Sequence, residues 1–498
     1  AEPNIKENPG GLRASHFALW LYTIATGARN IDKIRGVGLI SGEEQLELAE
    51  ALDMLWRIRN ELHFGAGKAE DRLTFDNARR VAVAFEYTDL DHGDAARLME
   101  DYYGAARRIR RFLNTAVLAC RPSAKPAARK RKEPQSKELD VLDGRLELVV
   151  KDDQWFAENP ARLMSVIWEC ARRGVPLGHA AERMLRNNLS LANDSFRTSD
   201  LVRRFFVAAC NRPLTAGLAL REAAECGLLE LYLPEFGAVR DILRYEDFHH
   251  YPVDEHTLRA VEALATIPGS EGIAGGFLKM ALEHMQDHYI LVLALLFHDL
   301  GKVEGEEHSV AGMRIAQDIC RRIGLPQEDE DRIAFLVEHH LLMTQIALYR
   351  DIDDELVVRR FTDTVKSVDR LSALFLLSFA DMSAVGPNVW TEWKATLLLN
   401  LYLAAERMLL GRTRVPEEAF WLHPKAEIVR EALPENLRDG VEAHLKEMGD
   451  RYFATFPADQ IATHIECLTE AEHTGLAVRT LDDAAAEVTT RIVCTRDH

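Results

Sequence analysis

From Ile290 to Phe297 the chain reads ILVLALLF, an unbroken apolar run, and it ends on His298 and Asp299. A helix that is apolar on every side has no face to offer water and belongs inside a core. An imidazole and a carboxylate at the end of such a segment must be satisfied by each other, by a backbone group, or by something charged that they hold together. Gly301 suits the left-handed residue that closes a helix, which puts the pair in the helix's last turn. Taken alone, the pair also admits a plainer reading, in which Asp299 merely orients His298 or pairs with Lys302.

Polar groups on neighbouring apolar segments change that balance. In YPVDEHTLRAVEAL, His256 falls in the first turn of an upstream helix, and in GEEHSVAG, His308 follows just after the His298 segment. His339 and His340 sit in AFLVEHHLLM, and Asp381 is the only charge in LSALFLLSFADMSAVGPNVW. Asp381 must therefore meet a cation or strong donors. Five histidines and two aspartates on apolar helices are too many to be unrelated satisfied groups. Imidazole and carboxylate together are the usual ligands of Mn, Fe, Zn or Co, while all-oxygen shells suit Mg or Ca. The absence of nearby cysteines argues against a structural zinc site. The order H…HD…H…HH…D offers enough ligands for two ions, the recurring device for phosphoester hydrolysis. Lys302, one turn beyond Asp299, is expected either to reach a phosphate as a point charge or simply to close the helix.

The rest of the chain frames this block. A length of 498 residues exceeds one ordinary core, and roughly two to four domains are expected. Nearly every segment reads as amphipathic helix. GEEQLELAEALDMLWRIRNELH, for example, spaces Leu46, Leu48, Leu52, Leu55 and Ile58 at close to helical intervals. The pattern predicts a mainly α, multi-domain protein with a central helical bundle and minor β pieces near 140–150 and 485–495. Asp143-Gly144 is a candidate hairpin turn in the first of these. The expected divisions are a helical region at 1–120, a basic Pro-rich linker at 121–140 and a helical connecting region at 141–235. The histidine-bearing bundle follows at 236–410, then a helical linker region at 411–484 and a terminal strand at 485–498. The formal charge of -18 argues against a nucleic-acid partner. The seven cysteines are scattered and contain no CxxC, as in a reducing cytoplasm. No signal peptide or membrane span is visible in the sequence. Both ends read as cuts through a longer protein.

The order of the histidines and aspartates resembles that of the HD phosphohydrolase superfamily. LPEFGAVRD, YEDFHHYPVDEHTLR, ALLFHDLGKVEGEEHSVAG, FLVEHHLLM and FADMSAVGPNVWTEWKATLL narrow it further. They look like the HD domain of the bifunctional uridylyltransferase/uridylyl-removing enzymes that act on the signal protein PII. EPNIKENPGGLR and LWRIRNELHFGAGKAEDRLTFD resemble segments that follow the nucleotidyltransferase head of those enzymes, and VTTRIVCTRDH resembles the first strand of their first ACT domain.

The resemblance implies hydrolysis of a UMP–tyrosine phosphodiester on uridylylated PII in nitrogen regulation, with UMP as product. It implies a divalent cofactor, foremost Mn or Mg with Fe, Zn or Co as alternatives, bound as two ions. His256, His298, Asp299 and Asp381 would hold the first ion, and His308, His339 and His340 would complete a second site. Asp299 is the expected bridge, and consecutive helical residues such as His339 and His340 point about 100° apart, so one of them is the better ligand. Asp299 and Lys302 are the catalytic candidates. No counterpart of the transferase head precedes Glu2, and Ala14 stands where the family usually has an acidic residue, so uridylyl transfer is not expected of this polypeptide. Glutamine sensing is expected to be lost or altered with the ACT domains. Two other readings stand beside this one: an HD hydrolase of free or cyclic nucleotides, and a regulatory module that binds metal or nucleotide without catalysis.

Overall fold

In a computed structural model the chain is mainly helical. The structure describes residues 2–27, 30–36, 40–87, 94–120, 138–149, 154–242, 251–303, 307–386, 389–411 and parts of 429–495. Residues 121–137 of the basic linker expected at 121–140, and the stretch 243–250, lie outside the described residues, while the last two linker positions, Leu139 and Asp140, already belong to a strand. The chain divides into two compact units. One comprises Ala1–Pro268, Leu282–Leu342 and Leu376–Trp390, and the other comprises Gly269–Ala281, Met343–Phe375 and Thr391–His498.

The first unit opens with a helical layer. Helices Leu12–Thr26 and Gly42–Ala66 pack against the long helix Asp94–Cys120 around Tyr22, Leu55, Ile58, Leu62 and Tyr102. The second of these helices starts at a capping box. Ser41 Oγ accepts from Glu44 N at 3.1 Å, and Glu44 Oε2 accepts from Ser41 N at 2.8 Å. Its buried stripe is Leu48, Ala51, Leu55, Ile58 and Leu62, whereas Leu46 is 61% exposed. The expected stripe was thus misplaced at its start: the i, i+3, i+4 phase runs through Ala51, and Leu46 lies off it. Gly10 has φ +82 and sits so close to the carbonyl of Ala106 that no Cβ fits there.

The hairpin forms as the sequence predicts. Leu139–Leu142 pairs antiparallel with Arg145–Leu148, and Asp143 and Gly144 take φ of 50° and 76°, the left-handed pair of a type I′ turn. Beyond it, helices Arg162–Arg173, Asp200–Cys210 and Pro213–Glu225 pack on one another. The last two also pack on His288–Phe297, in which every residue from Ile290 to Phe297 is buried. Around that apolar rod are arranged Val253–Ala263 and Gln327–Glu338, with His308–Ile323 against the latter. These elements carry the histidines.

Two helices of the second unit, Glu355–Val365 and Glu392–Leu409, pack together, and Phe375, from helix Val368–Val385, lies against Tyr402 of the latter with ring centroids 5.2 Å apart. The terminal strand Val488–Thr495 is present, and its antiparallel partner is Leu476–Asp483, inside a stretch expected to be helical. A lone alternating segment needs a second edge to satisfy its backbone, and it finds one just upstream. Cys170, Cys210, Cys226, Cys320 and Cys467 are buried free thiols, the small core residues anticipated. Among the described residues no helix is long and apolar enough to cross a membrane.

Candidate metal centre

His256 is the fourth residue of helix Val253–Ala263. The apolar rod ends at Phe297, and His298 caps it in right-handed conformation. Asp299 comes next, and a 3-10 turn, Leu300–Val303, follows. Gly301 lies inside that turn without a positive φ, so it is not the helix-closing residue expected. Glycine is needed there for another reason: a Cβ would strike the His308 carbonyl and lie 2.5 Å from Gly312 N. The turn therefore presses directly on helix His308–Ile323 and brings His308, its first residue, to the site. His340 follows helix Gln327–Glu338, and Asp381 comes from helix Val368–Val385.

Six side chains converge as two trios, His256/His298/Asp381 and Asp299/His308/His340, each with its ligand atoms within 4.8 Å of one another. His256 Nε2 lies 2.9 Å from Asp381 Oδ1 and 3.3 Å from His298 Nε2. Asp299 Oδ2 lies 3.3 Å from His298 Nε2 and 3.6 Å from His256 Nε2, so it borders both trios. The His340 ring stands 5.3 Å from that of His298 and 5.5 Å from that of His308, centroid to centroid.

The backbone fixes which ring nitrogens face inward. His298 Nδ1 donates to the Leu295 carbonyl at 2.7 Å, and His340 Nδ1 donates to the Val337 carbonyl at 2.7 Å. Each Nε2 is left to the centre. This is the outer hydrogen bond that orients metal-ligating histidines. It arises because the ring folds back on the carbonyl three residues earlier, as the preceding helix ends.

The electrostatics suit a cation. Burial would raise Asp299 and Asp381, yet both are held well below the usual carboxylate range. Asp299 is held down by His298, Lys302 and His256, and Asp381 by His256 and His298. Burial would lower His298, but the two carboxylates outweigh it and push it up to about 10. His340 goes the other way, to about 4, through burial and the neighbouring His298. Two buried carboxylates thus draw positive charge toward a point surrounded by imidazole nitrogens. That donor set fits a borderline divalent ion.

Two expectations shift. His339 joins neither trio among the described residues: its Nε2 lies 3.7 Å from Glu338 and its ring packs on Phe335. Adjacent residues leave a helix end in different directions, and here His340 is the one turned inward. Lys302 Nζ donates to Asp299 Oδ2 at 2.8 Å and is buried, so its ammonium is held on the carboxylate as in the plainer reading. Sequence reasoning did not single out the carbonyls of Leu295 and Val337, although the i−3 spacing at a helix end is the signal that could have found them. Nor did it single out the hydroxyls of Thr257, which follows His256 in the chain, and Ser378, one turn before Asp381, both fully buried without a partner among the described residues.

Comparison with known proteins matches this picture. The family described as GlnD PII-uridylyltransferase matches residues 1–117, and the HD domain matches residues 253–374. The whole chain is similar to proteins named bifunctional uridylyltransferase/uridylyl-removing enzyme. It is 29% identical to that of Bradyrhizobium diazoefficiens, 30% to that of Ruegeria pomeroyi and 30% to that of Novosphingobium aromaticivorans. All of this chain is covered in each case, and it spans 55%, 56% and 55% of those relatives respectively.

Proposed function

From a chain that carries an HD domain and is related along its whole length to uridylyltransferase/uridylyl-removing enzymes, we propose that its centre hydrolyses the UMP–tyrosine phosphodiester of uridylylated PII. The observation that carries this reading is the pair of trios, His256/His298/Asp381 and Asp299/His308/His340, meeting at Asp299. Each trio would hold one divalent ion, with Mn or Mg foremost. Such ions would supply Lewis-acid activation of water and charge neutralisation on the phosphoryl oxygens.

The chain's own residues do the rest. The carbonyls of Leu295 and Val337 keep Nε2 of His298 and His340 on the centre. Lys302 keeps Asp299 anionic and fixed in position between the two trios. The apolar rod before His298 is a rigid mount, because close-packed interiors leave side chains little freedom. The leaving tyrosinate, with an ordinary pKa of about 10, needs only modest assistance from an acid. Release of UMP from uridylylated PII by the purified chain with Mn tests the proposal, with free and cyclic nucleotides as competing substrates. Turnover of those nucleotides alone, or UMP release surviving the double substitution His298→Ala and Asp299→Ala, would overturn it.

A further inference from the structure

The helix that carries His256 is held at its first turn by charges from well outside the HD match. Asp254 Oδ1 accepts from Asp241 N at 3.0 Å, and Ile242 O accepts from Val253 N at 2.9 Å. Asp241 adopts φ 62°, a left-handed conformation uncommon for a residue other than glycine. Its carboxylate is ion-paired with Arg107, and both side chains are largely buried. Arg107 belongs to helix Asp94–Cys120, within the segment that matches the PII-uridylyltransferase family.

The same helix is also clamped by Arg221. Its Nη1 donates to Glu255 Oε2 at 2.9 Å, and its Nη2 donates to Glu262 Oε2 at 2.9 Å, two turns further on. Gly217 lets the two helices touch there, since a Cβ would lie 2.7 Å from Glu262 Cα. Arg221 fixes the axis of the helix. Arg221 also reaches the first turn through Glu255, and the link through Asp241 is a second hold on that turn, acting on Val253 and Asp254.

We propose that Arg107, acting through Asp241 and Asp254, is a positioning residue for His256 and ties the N-terminal helical region to the centre. The inference rests on the metal-centre reading above. Metal ligands must sit within a few tenths of an ångström of their places. Releasing the turn at residues 253–254 would let His256 drift from Asp381 without unfolding the core, because Arg221 and Gly217 still hold the helix. Arg107 is not a ligand, and its loss also leaves the Asp241 carboxylate short of a partner, so metal affinity is the readout that a purely structural role would not move. The link also gives the N-terminal region a physical route by which events there can reach the HD centre.

The test is Mn2+ titration of the full chain by calorimetry, with UMP release measured in parallel at limiting and saturating Mn2+. Arg107→Gln should weaken Mn2+ binding about tenfold, as for the loss of outer-shell support, with activity largely recovered at saturating metal. Arg107→Lys, which keeps the charge, should stay near wild type. Asp254→Ala, which removes the acceptor for Asp241 N, should behave like Arg107→Gln, and the double variant should be no worse than either, since both act through one link. Wild-type affinity in Arg107→Gln, or additive losses in the double variant, would overturn the inference. Should Arg107→Gln not fold, Asp254→Ala decides alone. A wild-type chain that bound no Mn2+ would instead overturn the metal-centre reading, and this inference with it.

Discussion

Replacing Gly301 by alanine puts the packing of the centre to a direct test. The added Cβ would lie 2.5 Å from Gly312 N and 3.0 Å from the His308 carbonyl carbon, with the carbonyl oxygen closer still. Non-bonded heavy atoms prefer about 3.5–4 Å, so the turn and helix His308–Ile323 must separate by roughly 1 Å. Every atom in the way is backbone, and no rotamer change relieves it. Overpacking costs about 1–3 kcal/mol, and a backbone clash belongs at the upper end. The smaller entropy of the unfolded chain returns up to about 1 kcal/mol. A net loss of about 2 kcal/mol should lower the melting point of the first unit by about 5 °C. The same movement carries His308 away from Asp299 and His340, so Mn2+ affinity should fall as well. Gly312→Ala is the internal control. Its Cβ would meet only Val337 Cγ1 at 3.3 Å and the His298 carbonyl at 3.4 Å, and alanine gains about 1 kcal/mol of helix propensity. It should be neutral or slightly stabilising. Thermal melts and Mn2+ titrations of the two variants decide. An unchanged melting point and metal affinity in Gly301→Ala would refute the claim that this glycine exists for close approach.

His340→Ala should cost about 100-fold in metal affinity or UMP release while His339→Ala keeps most of both; the reverse pattern would show the wrong histidine had been assigned. Lys302→Met removes the ammonium from Asp299 and should cost about 3 kcal/mol, because it leaves a buried charge short of a partner; chelator-treated protein melting at the wild-type temperature would contradict the pairing. Glu222 is raised from 4.5 to about 7, first by burial and then by Glu182 and Glu225, against Leu177 N and Arg145. The folded state therefore holds its proton more tightly than the unfolded one, and stability declines as pH rises from 4.5 to about 7. Glu222→Gln should recover about 2 kcal/mol above that window, after allowance for screening by water, and nothing below it; melts at both ends of the range, with equal gains at each, would refute the assignment.

The six side chains of the two trios were legible in the sequence because ionisable groups on apolar helices are conspicuous whatever the fold. Asp381 stood out as one charge in a core segment, and it lies 2.9 Å from His256 in the structure. The hairpin was legible for a similar local reason, since Asp143-Gly144 can supply two positive φ angles in succession. Gly301 was misread because its constraint is tertiary. Both a helix-closing glycine and a close-approach glycine follow an apolar run, and only the neighbouring helix distinguishes them. His339 and His340 could not be separated for the same reason: the turn after helix Gln327–Glu338 decides which ring points inward.

The charges around the His256 helix show why sequence reading stops where it does. Arg107, Asp241 and Asp254 look like ordinary surface residues of amphipathic segments, and Arg107 is far from the other two along the chain. Their buried pairing exists only once helix Asp94–Cys120, Asp241 and the start of helix Val253–Ala263 have been brought together. A metal ligand declares itself by chemical type, whereas a positioning residue is defined by what it touches. Residues far from the reacting atoms can therefore be as necessary as the ligands, and chemistry alone does not find them. In this protein the left-handed Asp241 is the mark they leave, because that conformation persists only where its backbone N–H and its carboxylate are both held.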